Sequence, residues 1–131
     1  MKITISQKQR SLSMIFDLKN EAPETIPNFK GGEGEFIAKI HFDGLNKIIH
    51  GTLPPKSTIG SHTHEGDSEI IYILSGSGSV EDDGELLPLE AGQCHYCPKG
   101  HTHSLINNGS EDLVFFAVVP VQKISQKTRF R

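Results

Sequence analysis

Five of the seven histidines in this 131-residue chain fall between positions 62 and 103, at spacings that suit metal chemistry. His62 and His64 stand two apart, so on an extended strand both imidazoles leave the same face and can share one cation. Glu69 follows His64 by five residues, which would turn it to the other face of a straight strand. The intervening Glu65-Gly66-Asp67-Ser68 is turn-like and can restore its direction. His101 and His103 repeat the two-residue spacing just past Pro98-Lys99-Gly100, where a bend is expected. Three imidazoles and one carboxylate are borderline nitrogen and oxygen ligands, and around an octahedral ion they leave about two positions for water or a small molecule.

The elements that must position these groups read as strands. Thirteen glycines and seven prolines separate short β-favouring runs, and no window beyond the first 20 residues repeats apolar residues at helical spacing. The expected strands are Gly34–Phe42, Lys47–Leu53, Ile59–His64, Ser68–Ser75, Gly78–Glu81, Glu85–Leu89, Gln93–Cys97, His101–Asn107 and Asp112–Pro120. Their spacing with turn chemistry between them is that of an all-β sandwich or barrel. Asp82-Asp83-Gly84 and Asn107-Asn108-Gly109-Ser110 are tight-turn signals. Residues 6–20 fit helical offsets and strand alternation equally, and the stretch Glu21–Gly34, with Pro23, Pro27 and a glycine cluster, reads as a loop. That cluster lacks the Lys-Ser/Thr pair and the helix of a phosphate loop.

A chain of 14.4 kDa with 35% hydrophobic and 22% charged residues suits one folded domain. Its longest apolar run, Leu113–Val119, falls short of the roughly 18 residues that span a bilayer, and no signal-like apolar stretch follows Lys2, Lys8 and Arg10. The expectation is a cytoplasmic protein with no membrane partner. Residues 122–131 carry four basic side chains and no acid, while residues 1–121 carry 9 basic and 16 acidic ones, net −7. So acidic a body repels phosphate backbones, which argues against a nucleic-acid partner, and the basic tail reads as a solvated end.

Other histidines and the cysteines have plainer readings. His41 and His50 carry no spacing argument and are taken as structural. Cys94-His95-Tyr96-Cys97 has no second cysteine pair, and residues three apart on a strand face opposite ways. Two buried or half-buried free thiols, suited to a reducing cytoplasm, are expected there. His101 is read either as a rim residue or as a proton-transfer group beside the site.

Taken together, these residues resemble the cupin superfamily. Its first motif, Gly-x5-His-x-His-x4-Glu-x6-Gly, is matched by His62, His64, Glu69 and Gly76, and its second, Gly-x5-Pro-x-Gly-x2-His-x3-Asn, by Gly92, Pro98, Gly100, His103 and Asn107. Nine of ten fixed positions agree; Lys56 stands where the first motif begins with glycine. The resemblance implies a double-stranded β-helix, or jelly-roll barrel, over residues 34–121; it says nothing about the N-terminal segment 1–33, expected to pack on the barrel or on a partner, or about the basic tail 122–131. It also implies His62, His64, Glu69 and His103 around one divalent transition metal (Mn, Fe, Ni or Zn), and a homodimer formed through an apolar sheet face. Following Glu69 by twos, Ile71 and Ile73 are expected to floor the pocket and Tyr72 to face outward.

The function so implied is binding, or transformation, of a small oxygen-rich ligand such as a sugar, sugar acid or dicarboxylate. Isomerase, decarboxylase and Fe(II) dioxygenase chemistry all fit the ligand set, with His101 the one acid–base candidate from motif position. The alternative is a binding module without turnover. A barrel that has lost its metal is disfavoured, because buried unpaired imidazoles would destabilise it.

Overall fold

The computed structural model describes residues 15–122, and over these the chain forms ten strands in two antiparallel sheets. In chain order they are β1 (Glu24–Pro27), β2 (Glu35–Phe42), β3 (Asn46–Leu53), β4 (Thr58–Thr63), β5 (Glu69–Ser75), β6 (Ser77–Asp82), β7 (Glu85–Glu90), β8 (Cys94–Cys97), β9 (Thr102–Ile106) and β10 (Leu113–Pro120). One sheet runs β1-β2-β3-β10-β5-β8 and the other β4-β9-β6-β7. This is the jelly-roll arrangement of a double-stranded β-helix. Among the described residues no helix is long and apolar enough to cross a membrane.

All nine expected strands are present, each end within one residue of its expected place. The physical reason is visible in their burial. Along β5, Glu69, Ile71 and Ile73 are buried while Ile70, Tyr72 and Leu74 are exposed, and β10 alternates buried with half-buried throughout. Period-two alternation is the signature of strands with one face on a core. That core joins both sheets through Phe36, Leu53, Ile71, Val80, Leu105 and Phe115. Phe36 and Phe115 stack with ring centroids 5.9 Å apart beside Gly51, where an added Cβ would meet them at 2.5–2.7 Å. The Asp83-Gly84 hairpin between β6 and β7 has positive φ at both residues, as a tight two-residue turn requires.

One expectation about the strands fails. The stretch read as a loop contains β1, which pairs with β2 in the register Ile26↔Phe36. Prolines suggested a loop, but β1 is an edge strand, and an edge leaves a proline's missing N–H without consequence. Phe29–Gly31 then forms a short 3₁₀ turn against β4. His41 has the structural place expected of it: its Nε2 lies 2.7–2.9 Å from both Glu21 carboxylate oxygens and ties the segment before β1 to β2. Residues 6–14 and most of the basic tail lie outside the described residues.

Candidate metal centre

Four side chains from three separated stretches meet inside the barrel. His62 comes from β4, His64 from the residue after it, Glu69 from the first position of β5 and His103 from β9. Sheet register brings them together: β4 pairs with β9 at His62↔His103, and a bulge earlier in β4 sets that alignment. The Glu65–Ser68 turn returns the chain so that Glu69 faces inward, opposite Cys97 of β8.

The donor atoms converge. His103 Nε2 lies 3.0 Å from His64 Nε2, 3.2 Å from His62 Nε2 and 3.1 Å from Glu69 Oε1, and His64 Nε2 is 3.2 Å from the same oxygen. Each imidazole is held from behind through its other nitrogen. His62 Nδ1 donates to the Gly60 carbonyl at 2.7 Å, and His64 Nδ1 donates to Asp67 Oδ1 at 2.7 Å. His103 Nδ1 faces His95 Nε2 at 3.0 Å. Without a cation, His64 and His103 can donate to Glu69 through Nε2; with the hydrogens on Nδ1 instead, the Nε2 atoms present lone pairs to one another and to a carboxylate. Such a set lacks a positive charge at its centre, and a cation fits it. Donors about 2.1 Å from a common ion would stand about 3.0 Å apart at right angles and about 3.4 Å apart in a tetrahedron. The observed separations match the right-angled, open arrangement, so the residues present could hold a metal ion.

The electrostatics agree. Burial pulls His62 below the ordinary imidazole value, against the opposing Gly60 carbonyl. Burial also pulls on His64, but hydrogen bonds with Glu69 and Asp67 outweigh it and His64 shifts upward. Burial would raise Glu69, yet the hydrogen bonds from His103 and His64 overcome it and bring its carboxyl down to about 2. The cluster therefore holds a buried carboxylate in its anionic form, ready for a cation.

The donors open onto a cavity of about 200 Å³ whose walls include Phe36, Ile49, Ile71, Leu105 and Phe115, with Lys30, Lys47 and Glu65 also lining it. Ile71 lines it as expected. Ile73 does not; it is fully buried in the core beyond it, because the barrel is filled below Ile71. Tyr72 faces outward as expected.

His101 is not brought to the cluster. Its Nδ1 pairs with Asp83 Oδ2 at 2.6 Å, about half of its side chain is exposed, and it does not line the cavity. The reason is local. Gly100, with φ +90°, turns the backbone, and His101 precedes β9, so the strand parity shared by residues two apart does not reach it. The thiol expectation is corrected in part: Cys97 is buried, but Cys94 is exposed, since β8 alternates faces. His95 is the residue that sequence spacing missed. It is buried opposite Ile71, and the only signal for its inward side chain was the register between β5 and β8.

The cupin-domain family model matches residues 49–119, more than half of the chain. The chain belongs to the cupin family. An oxalate-binding protein of Thermotoga maritima is 39% identical over 103 residues, spanning 74% of this chain and 85% of that protein. The crystal structure of a predicted oxalate decarboxylase from Thermotoga maritima superposes with a TM-score of 0.78 at 35% identity, covering 82% of this chain and 99% of that one. A glucose-6-phosphate isomerase of Thermococcus gammatolerans is 34% identical over 64 residues, 45% of this chain and 34% of that protein. The family match spans His62, His64, Glu69 and His103.

Proposed function

We propose that this cupin holds one divalent transition-metal ion through His62, His64, Glu69 and His103 and binds a small oxygen-rich acid, of the dicarboxylate or sugar-acid kind, at the open side of that ion. The observation that carries the reading is the convergence of three Nε2 atoms and one carboxylate oxygen, all within 4.8 Å of one another and four of their separations 3.0–3.2 Å, with an acceptor behind each of two of those rings. The likeness to an oxalate-binding protein supports the ligand class. When bound, the ion would act as a Lewis acid toward a chelating ligand with adjacent oxygens. The chain's own residues orient the three rings, keep Glu69 anionic and exclude bulk water with an apolar floor.

Binding is favoured over acid–base turnover because His101 is engaged with Asp83 outside the cavity. Isomerase, decarboxylase or Fe(II) dioxygenase activity is the second reading, supported by Glu65 and Lys47, titratable groups that do line it. Metal-loaded protein incubated with dicarboxylates, sugar acids and sugars, with products followed by NMR, divides the two. Saturable binding without product supports the first reading, and product formation supports the second. Absence of any binding overturns the first.

A homodimer belongs to the same proposal. Ile70, Tyr72 and Leu74 of β5 and Tyr96 of β8 form an exposed apolar stripe on the outer face of the six-stranded sheet, of a kind that marks a contact surface. Light scattering of wild type and Tyr72→Glu tests it, with dimer mass expected for the first and monomer for the second. Two free cysteines suit a reducing cytoplasmic setting.

A further inference from the structure

The cavity has two unlike walls. One, from β4, the following turn, β5 and β9, carries all four donors above an apolar floor of Ile59, Ile71 and Leu105. The other, from β2, β3 and β10, presents Phe36, Ile40, Ile49, Phe115 and Val119, with Lys47 its one charged lining residue. A wholly polar ligand such as oxalate or a sugar would leave this hydrocarbon face unused, and any hydroxyl turned toward it would lose its hydrogen bonds. Water takes about 30 Å³ in the liquid, so the cavity of about 200 Å³ has room for a chelating head and a short chain. Resting on the chelating-acid part of the ligand reading above, and departing from its wholly polar dicarboxylates and sugar acids, we propose that the preferred ligand is a 2-oxo or 2-hydroxy acid with a short branched apolar chain. Its oxygens face the donor wall and its chain lies against Ile40, Ile49 and Val119.

Calorimetric titration of metal-loaded protein with oxalate, glyoxylate, pyruvate, 2-oxobutyrate and 2-oxoisovalerate tests this. Affinity should rise roughly three- to four-fold for each added carbon group buried. Ile40→Gln, at a half-buried position, should flatten that rise while leaving metal content unchanged. Oxalate binding as well as the longest acid would overturn the apolar-chain inference and leave the ligand reading standing. If no acid binds, oxalate included, both fall together.

A different observation assigns a role to His95. His103 Nε2 faces the other donors, so to ligate through that atom its proton must sit on Nδ1, which is 3.0 Å from His95 Nε2. His95 must then accept, as Gly60 and Asp67 do behind His62 and His64. We infer that His95 is a positioning residue that fixes the tautomer and ring angle of His103. Partners of this kind typically change metal affinity about 10- to 100-fold when removed. His95→Leu should therefore weaken zinc binding by that factor, measured by chelator competition, and His95→Gln, which keeps an accepting oxygen, should recover most of it. Equal losses in both variants, or none in His95→Leu, would overturn the role. In zinc-loaded wild type, nitrogen-15 NMR should show His95 Nε2 unprotonated; a proton on that atom would overturn it whatever the variants do.

Discussion

Among the described residues two clusters bring imidazole and carboxylate atoms within 4.8 Å of one another: His62, His64, Glu69 and His103 inside the barrel, and Asp82, Asp83 and His101 at the surface. Both mix imidazole with carboxylate, and they divide the second His-x-His pair: His103 joins the first pair inside, while His101 lies outside. Inside, three members are buried and every ring has a partner behind it; outside, His101 and Asp83 are about half exposed and bond each other. Asp83 is already occupied, its side chain accepting from the Thr102 N–H at 3.0 Å, and that bond is the main cause of its lowered pKa. Donor type and spacing are therefore insufficient; a site also needs desolvation and lone pairs that nothing else satisfies.

The sharpest break of this comparison is metal content. Wild type should hold close to one divalent ion per chain, Glu69→Ala and His103→Ala should lose nearly all of it, and His101→Ala should lose none by elemental analysis. Retained metal in the first two variants would make the inner cluster no better than the outer one. Next in size is the effect of chelation. A ligand present at 100 to 1,000 times its Kd stabilises by about 3–4 kcal/mol, so removing the ion with EDTA should lower Tm by several degrees in wild type and His101→Ala alike, and not in Glu69→Ala.

Acid stability of the metal-free protein sharpens the contrast further. The Glu69 carboxyl falls from its ordinary value of 4.5 to about 2 on folding, so the unfolded chain binds its proton first. The stability this contributes is present above about pH 4.5 and is lost as pH falls toward 2. Chemical denaturation across that window should show a decline in wild type that Glu69→Gln lacks. The smallest effect concerns the thiols of β8. Burial, followed by nearby carboxylates such as Glu69 and Asp82, pushes Cys97 up to about 11, whereas Cys94 is exposed. Alkylation of native protein at pH 8 should modify Cys94 alone, as mass spectrometry of digests would show.

Much of this architecture was legible before any coordinates. Nine strands announced themselves through alternation and turn residues, because a half-buried strand must alternate whatever it packs against. His62, His64, Glu69 and His103 stood out because two motifs space them in fixed ways. The strand β1 was not legible, since edge pairing needs only a neighbour with free N–H and C=O groups, which no residue type advertises.

The chain's own order of residues determined which side chains have ligand chemistry and, by parity, which ones leave a common strand face. Tertiary structure decided the rest: that His95 backs His103, that His101 turns away to Asp83, and that β2, β3 and β10 bring hydrocarbon to the cavity the donors open onto. Parity is a local property carried by the backbone of one strand. Which faces meet depends on register between strands far apart in the chain and on how the two sheets close, and those are set only when the whole core packs.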